Sequence, residues 1–372
     1  MTHGPRTTGQ VRRAPVIAVA VTAVALLVAG CGGSEPATPG ARGAGGDRSG
    51  STVEARPEPE VEVMATGFDG PTQISEGPGG TLLVAQLAGD EDAATGQVVV
   101  FDERTGERRV VLEELSVPTG ALLLDDVLWV MVRRGLLRAS WPEGADRPGP
   151  TEVVLEDLPS NGRSEGALTP TGDGRFLYET SGSLVQGEVE PGGGTLWVFD
   201  PTSGTSTPLA SGLKNAYAQA LTPDGRVLTS DVGDSRTDPP VDELNLLGPV
   251  PATGASSPGA LDAGWPECRG DESSDTDAAC EGTVEPMAIL PVGSTPTGLA
   301  VVGEEVWVAL FTEGRIVAVP LEASGEPSTI EDLTTVLDGL DGPHTLLARP
   351  DGEVWVSEHG TGRILALLPD AA

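Results

Sequence analysis

PTGLAVVGEEVWVALFTEGRIVAVP, from Pro296 to Pro320, decides the fold. A proline opens a short apolar segment, a Gly-led step at Gly303 turns the chain, Val306, Trp307 and Val308 form a second segment, and Gly314 leads a third. Val, Ile and Trp suit a pleated surface while Gly and Pro interrupt it, so the stretch reads as three short strands of a meander.

The unit recurs. Second strands align as Thr81 to Ala85, Val127 to Met131, Arg175 to Tyr178, Arg226 to Thr229, Glu305 to Ala309 and Glu353 to Ser357. Third strands follow from Gly96, Gly135, Gly194, Gly314 and Gly362. The units start near Pro71, Pro118, Glu165, Asn215, Pro296 and Pro343, most of them 47 to 50 residues apart, the size of a four-stranded propeller blade. Six second strands predict an all-β, six-bladed β-propeller over residues 61–372. The fifth start comes about 30 residues late, so the fourth unit carries an insertion. Trp129, Trp197, Trp307 and Trp355 are expected to pack between blades rather than to bind ligand.

The last unit ends at Leu367 and Leu368, without a fourth strand. Residues 60–68, with Val61, Val63 and Met64, resemble the fourth strands near Arg109 and Thr151 and directly precede the first blade. An N-terminal strand that completes the last blade would close the ring and remove open sheet edges.

Residues 1–30 read as an export leader: Arg12 and Arg13 precede an apolar run from Val16 to Val28, too short to span a bilayer comfortably. The run ends in Val28, Ala29, Gly30 and Cys31, which resembles the lipobox of bacterial lipoproteins, and this resemblance implies lipid attachment at Cys31. Residues 31–60 are rich in Gly, Pro, Ser, Ala and Arg without hydrophobic periodicity, a flexible tether. The expected location is the outer face of the cell membrane, held by lipid alone.

Of 372 residues, 38% are hydrophobic, enough for a sizeable core, so disorder throughout is excluded. Acidic residues outnumber basic ones 56 to 22, and the formal charge of -34 would repel nucleic acid and anionic lipid alike. Acidity of this kind is also a habit of some whole proteomes. With Cys31 lipidated, Cys268 and Cys280 remain, and an exported pair around a short acidic loop reads as a disulfide. No thiol is then left for catalysis.

The fourth unit is the most specific. Gly212-Leu213-Lys214-Asn215, the turn Pro223-Asp224-Gly225, Asp231-Val232-Gly233-Asp234, Asp242-Glu243-Leu244-Asn245 and Gly264-Trp265-Pro266 occur in that order. This set resembles the glucose/sorbosone dehydrogenase family, the soluble quinoprotein sugar dehydrogenases, whose pattern runs GLRNP, PDG, D-x-G, DELN and GWP. The resemblance implies a six-bladed propeller holding pyrroloquinoline quinone (PQQ) and Ca2+ on its axial face. It implies cofactor binding by Lys214 and Asn215, the counterparts of the family's Arg-Asn pair, and Ca2+ binding by backbone carbonyls of Gly233 and Asp234. Lys214 is the only lysine in the chain; it keeps the charge but lacks the bidentate fork of arginine.

The departures point the other way. By motif spacing, Arg163 stands where the family has its catalytic histidine, and a guanidinium does not accept a proton near neutral pH. A cofactor-binding lysine is replaced near Thr312, and arginines expected before Arg349 give way to Gly342 and His344. PQQ is therefore a doubtful cofactor. His344, at the start of a first strand, and Glu165 are the alternative bases; the commoner outcomes are a loop histidine and an exposed glutamate. His359 lies at a turn after a second strand.

The insertion gathers Asp271, Glu272, Asp275 and Asp277, with Asp242 and Glu243 upstream, a possible Ca2+ cage or a solvated acidic loop. Glu243 joins Gly233 and Asp234 as a candidate metal ligand. The expected function is an envelope-anchored propeller with a degenerate catalytic site that binds a carbohydrate-like small molecule or a protein on its axial face. The alternative is a PQQ- and Ca2+-dependent oxidoreductase of sugars or other alcohols. Lactone hydrolysis ranks lower, because its carboxylate and asparagine set cannot be placed.

Overall fold

The structure, a computed structural model, describes residues 58–90, 93–162, 165–234, 240–253, 259–268, 270, 280–321 and 328–368. The leader, Cys31, the tether up to residue 57, Arg163 and the loop acids Asp271, Glu272, Asp275 and Asp277 lie outside the described residues.

Six antiparallel sheets form a six-bladed β-propeller, each running from an inner first strand to an outer fourth. Blade one is Pro71–Glu76, Leu82–Gln86, Gly96–Asp102 and Glu107–Leu115; blade two is Gly120–Leu124, Val127–Val132, Gly135–Ser140 and Glu152–Leu155. Blade three is built from Thr169–Pro170, Phe176–Thr180, Thr195–Asp200 and Thr205–Ser211, and blade four from Gln219–Leu221, Arg226–Asp231, Asp242–Pro249 and Ala288–Leu290. Blade five comprises Pro296–Val302, Glu305–Leu310, Arg315–Pro320 and Thr334–Leu337. Blade six has Pro343–Ala348, Val354–Glu358 and Arg363–Leu368, and its fourth strand is the N-terminal Glu60–Ala65. That closing strand runs antiparallel to the last, with Glu60 opposite Leu368 and Val63 opposite Leu365. The Phe68 N–H then donates to the Gly362 carbonyl at 3.0 Å.

The two-residue alternation of strands builds the core. In Glu305–Leu310, Val306, Val308 and Leu310 pack against blade four while Trp307 and Ala309 pack against blade six. In Leu82–Gln86, Leu83 and Ala85 face blade two while Leu82 and Val84 face blade six. Each blade is thus apolar on both faces, and the core is a ring of interblade layers. Trp129, Trp307 and Trp355 are buried in these layers, and Trp197 lies half-buried against Tyr178.

The first strands of blades three and four start at Thr169 and Gln219, about four residues later than the repeat predicts. The preceding residues bond across blades instead of within their own sheet. Ala167 N–H donates to Tyr217 O at 2.9 Å, and Leu168 exchanges hydrogen bonds with the Gln73 side chain. A belt of threonine hydroxyls continues this around the channel. Thr72 donates to Pro118 O, Thr119 to Gly166 O, Thr297 to Pro343 O and Thr345 to Thr72 O, at 2.7 to 3.2 Å.

The Asp242 to Asn245 motif lies in the third strand of blade four, and the insertion follows that strand. It lays Leu261–Asp262 parallel to the outer strand of blade three, forms the Cys268–Cys280 disulfide, and returns at Ala288–Leu290.

Candidate functional site

On the face where first strands begin and second strands end, a cavity of about 740 Å3 opens on the propeller axis. Blades three and four line it with Asn161, Gly182, Lys214, Asn215, Asp234 and Asp242. From blades four, five and six come Tyr217, Phe311, His344 and His359.

Hydrogen bonds lock the fourth-blade motifs together. The buried Asp231 carboxylate accepts from the Lys214 N–H, at 2.8 and 3.0 Å, and from the Asn215 N–H at 2.5 Å. Asn215 O accepts from Val232 N–H at 3.0 Å. Asp242 accepts from Gly233 N–H at 2.7 Å through one oxygen, and from Ser294 Oγ and Thr295 N–H through the other. A Cβ at position 233 would sit 2.3 Å from Val241 O, so only glycine fits that turn. Lys214 lines the cavity, yet its ammonium donates to Gly182 O at 2.9 Å and lies 5.5 Å from the Trp265 ring centroid. Trp265, whose motif gave no hint of this contact, also packs where a Cβ on Gly182 would fall, 2.7 Å from its ring.

His344, an alternative base at the start of a first strand, and His359, read as a turn residue, come together in the cavity wall. Their rings stack with centroids 5.5 Å apart, and both pack edge-on against Phe311 at 5.7 and 5.6 Å. Tyr217 Oη is 3.4 Å from His344 Nε2. Burial, then the neighbouring His359, lowers the His344 pKa to about 3, so its imidazole is neutral at physiological pH.

Glu165 is not the exposed glutamate that residue statistics predict. It is fully buried outside the cavity lining. Burial raises its pKa. Beside it Glu179, which sequence reasoning missed, is also buried, its pKa raised well above the usual range by burial and by repulsion from Glu165 and Asp231. Its signal was a charge at an inward position of the strand Phe176–Thr180. Asp231 is pushed up to about 8 by burial and the charge of Glu243. Glu243 itself is not among the cavity residues; its carboxylate accepts from Gly270 N–H and from Asn245 Nδ2. Gly233 and Asp234 do line the cavity. No three His, Cys, Asp or Glu side chains converge as a metal cluster among the described residues.

Among the described residues, the lining does not fit a cofactor held by its carboxylates. Lys214 is the only cationic side chain among the described residues lining the cavity, its ammonium is tied back to Gly182, and Asp234 and Asp242 contribute opposing charge. Oxygen donors at Gly233 and Asp234 suit a hard cation better than an anionic quinone.

No family model matches the chain, and no curated protein matches it. Its solved structural neighbours include PQQ-bound sugar dehydrogenases. The PQQ-bound aldose sugar dehydrogenase of Streptomyces coelicolor superposes with a TM-score of 0.65 at 22% identity, over 84% of this chain and 99% of that one. The calcium structure of a family AA12 carbohydrate-active enzyme from Trichoderma reesei gives 0.66 at 16%, over 86% and 100%. The holo PQQ domain of pyranose dehydrogenase from Coprinopsis cinerea gives 0.64 at 15%, over 84% and 98%. At these identities the likeness is one of fold. The chain is a six-bladed propeller of the sugar-dehydrogenase shape.

Proposed function

We propose that this chain is an exported, lipid-anchored propeller that binds a small polar molecule in its axial cavity, on a sugar-dehydrogenase-like scaffold whose catalytic site is degenerate. The observation that carries this reading is the lining among the described residues: two aspartates, one tied-back lysine and the rings of Tyr217, Phe311, His344 and His359. Oxidation of a sugar hydroxyl needs a proton acceptor with a pKa near the working pH. Arg163 does not supply one, and His344, with a pKa of about 3, is a poor one.

The second reading, a PQQ- and Ca2+-dependent oxidoreductase, draws support from the bonded set Lys214, Asn215, Asp231, Gly233 and Asp242 and from the PQQ-bound neighbours. PQQ and Ca2+ added to the purified protein separate the two. The proposed function expects no bound quinone absorbance after gel filtration and no dye reduction with aldoses. Stoichiometric quinone binding with turnover would overturn it.

A further inference from the structure

Asparagine is scarce in this chain and unevenly placed. Three occur, Asn161, Asn215 and Asn245. Asn215 and Asn245 are 7% and 0% exposed and are followed by Ala216 and Leu246. Asn161 alone precedes glycine, and it lines the axial cavity half-buried while Gly162 is exposed. The pair lies outside any strand, on the crossing from Glu152–Leu155 to Thr169–Pro170. Gly162 has φ +83°, with nothing within 4 Å of where a Cβ would stand. Its N–H donates to Ser160 Oγ at 3.2 Å, a long bond at an exposed position. A backbone nitrogen that follows asparagine can attack the Cγ of that residue and close a five-membered ring. A Cβ on the following residue obstructs the approach, and glycine removes it. An exposed loop also leaves the main chain free to reach the dihedral angles that the ring requires.

We propose that Asn161 is a self-modification site, at which the cavity wall exchanges an amide for a carboxylate. Water or hydroxide takes the Gly162 N–H proton, the nitrogen bonds to Asn161 Cγ, and the Cγ–Nδ2 bond breaks to release ammonia. Water then opens the succinimide. Opening at Cγ gives aspartate; opening at the main-chain carbonyl of the same residue gives isoaspartate and lengthens the backbone by one methylene. One water is consumed and one ammonia released, with no oxidant, reductant or cofactor. The product adds a negative charge to a cavity that already holds Asp234 and Asp242. The reaction needs no ligand in the cavity and is independent of the proposed function.

The test incubates the purified full-length protein at neutral and at mildly alkaline pH. Samples are followed by ammonia assay, ion exchange, and peptide mass mapping with isoaspartyl methyltransferase labelling. The expected result is a species with one more negative charge, one equivalent of ammonia, and aspartate plus isoaspartate at Asn161 alone, formed faster at the higher pH. Gly162→Ala is expected to slow the reaction about ten-fold, because the added Cβ hinders the attack. Asn161→Gln keeps an amide but would need a six-membered ring, and is expected to stay unmodified. The melting temperature of each fresh variant reports its folding. Retention of the Asn161 amide in the folded protein, under conditions that modify the guanidinium-unfolded chain there, would overturn the proposal. Modification at Asn215 or Asn245 in its place, or equal rates for wild type and Gly162→Ala, would do the same. None of these outcomes bears on whether the cavity binds a quinone or a sugar.

Discussion

Removing residues 1–68 should damage the ring far more than removing residues 1–57. The longer deletion takes away the strand Glu60–Ala65 and Phe68. The outer part of that strand contributes little burial, since Val61 and Val63 are 40% and 50% exposed. Its contribution is mainly the backbone pairing with Arg363–Leu368, a handful of hydrogen bonds worth about 1 kcal/mol each. Phe68 is 7% exposed, meets Phe101 edge-on at 6.1 Å and lies under the Arg108 guanidinium; loss of such a side chain costs about 3–5 kcal/mol. The total is about 5–10 kcal/mol, comparable with the whole stability of a typical domain. With a urea slope of about 3 kcal/mol per molar, the midpoint falls by about 2 M or more. Hydrogen exchange should localise the loss to Arg363–Leu368, which becomes an open edge. Equal urea midpoints for the two deletions, with equal protection of that strand, would refute the closure argument.

Three further outcomes are expected. Glu179 binds a proton in the folded chain that the unfolded chain releases above about pH 4.3, so its contribution to stability is complete below that pH and is lost as pH rises through the higher folded value. Glu179→Gln should therefore flatten the decline in urea stability between pH 5 and 8 and gain about 1 kcal/mol or more relative to wild type at pH 8; an unchanged slope contradicts the burial of an ionisable pair. Reducing the disulfide between Cys268 and Cys280, 12 residues apart, should cost about 3 kcal/mol if the loop-entropy model holds, measured as a melting shift with dithiothreitol and absent from a Cys268→Ser, Cys280→Ser double variant. The His344 ring resonance in NMR should stay at its neutral position from pH 8 to pH 5, because its pKa lies near 3; a transition near pH 6.5 would mean that water reaches the ring.

The ring wall explains why motif matching and site chemistry diverge. Lys214, Asn215 and Gly233 line the axial cavity because local rules place them: an aspartate capping successive N–H groups, and a glycine where a Cβ would strike a carbonyl. Those rules operate within about twenty residues and leave a trace in spacing. The charge balance of the cavity does not. It depends on Phe311, His344 and His359 arriving from two other blades, and on Lys214 bending back onto Gly182 and Trp265.

The sequence by itself determined the number of blades and the shared last sheet, because strand periodicity and turn residues are local and repeat at fixed intervals. It also determined the pairing of Cys268 with Cys280 once Cys31 is set aside. Only the tertiary structure decided that Glu165 and Glu179 are buried, that two histidines stack, and that the first strands of blades three and four start late. Each of these results from contacts between blades tens to hundreds of residues apart. Desolvation and ring packing depend on those distant neighbours, and no pattern along the chain records them.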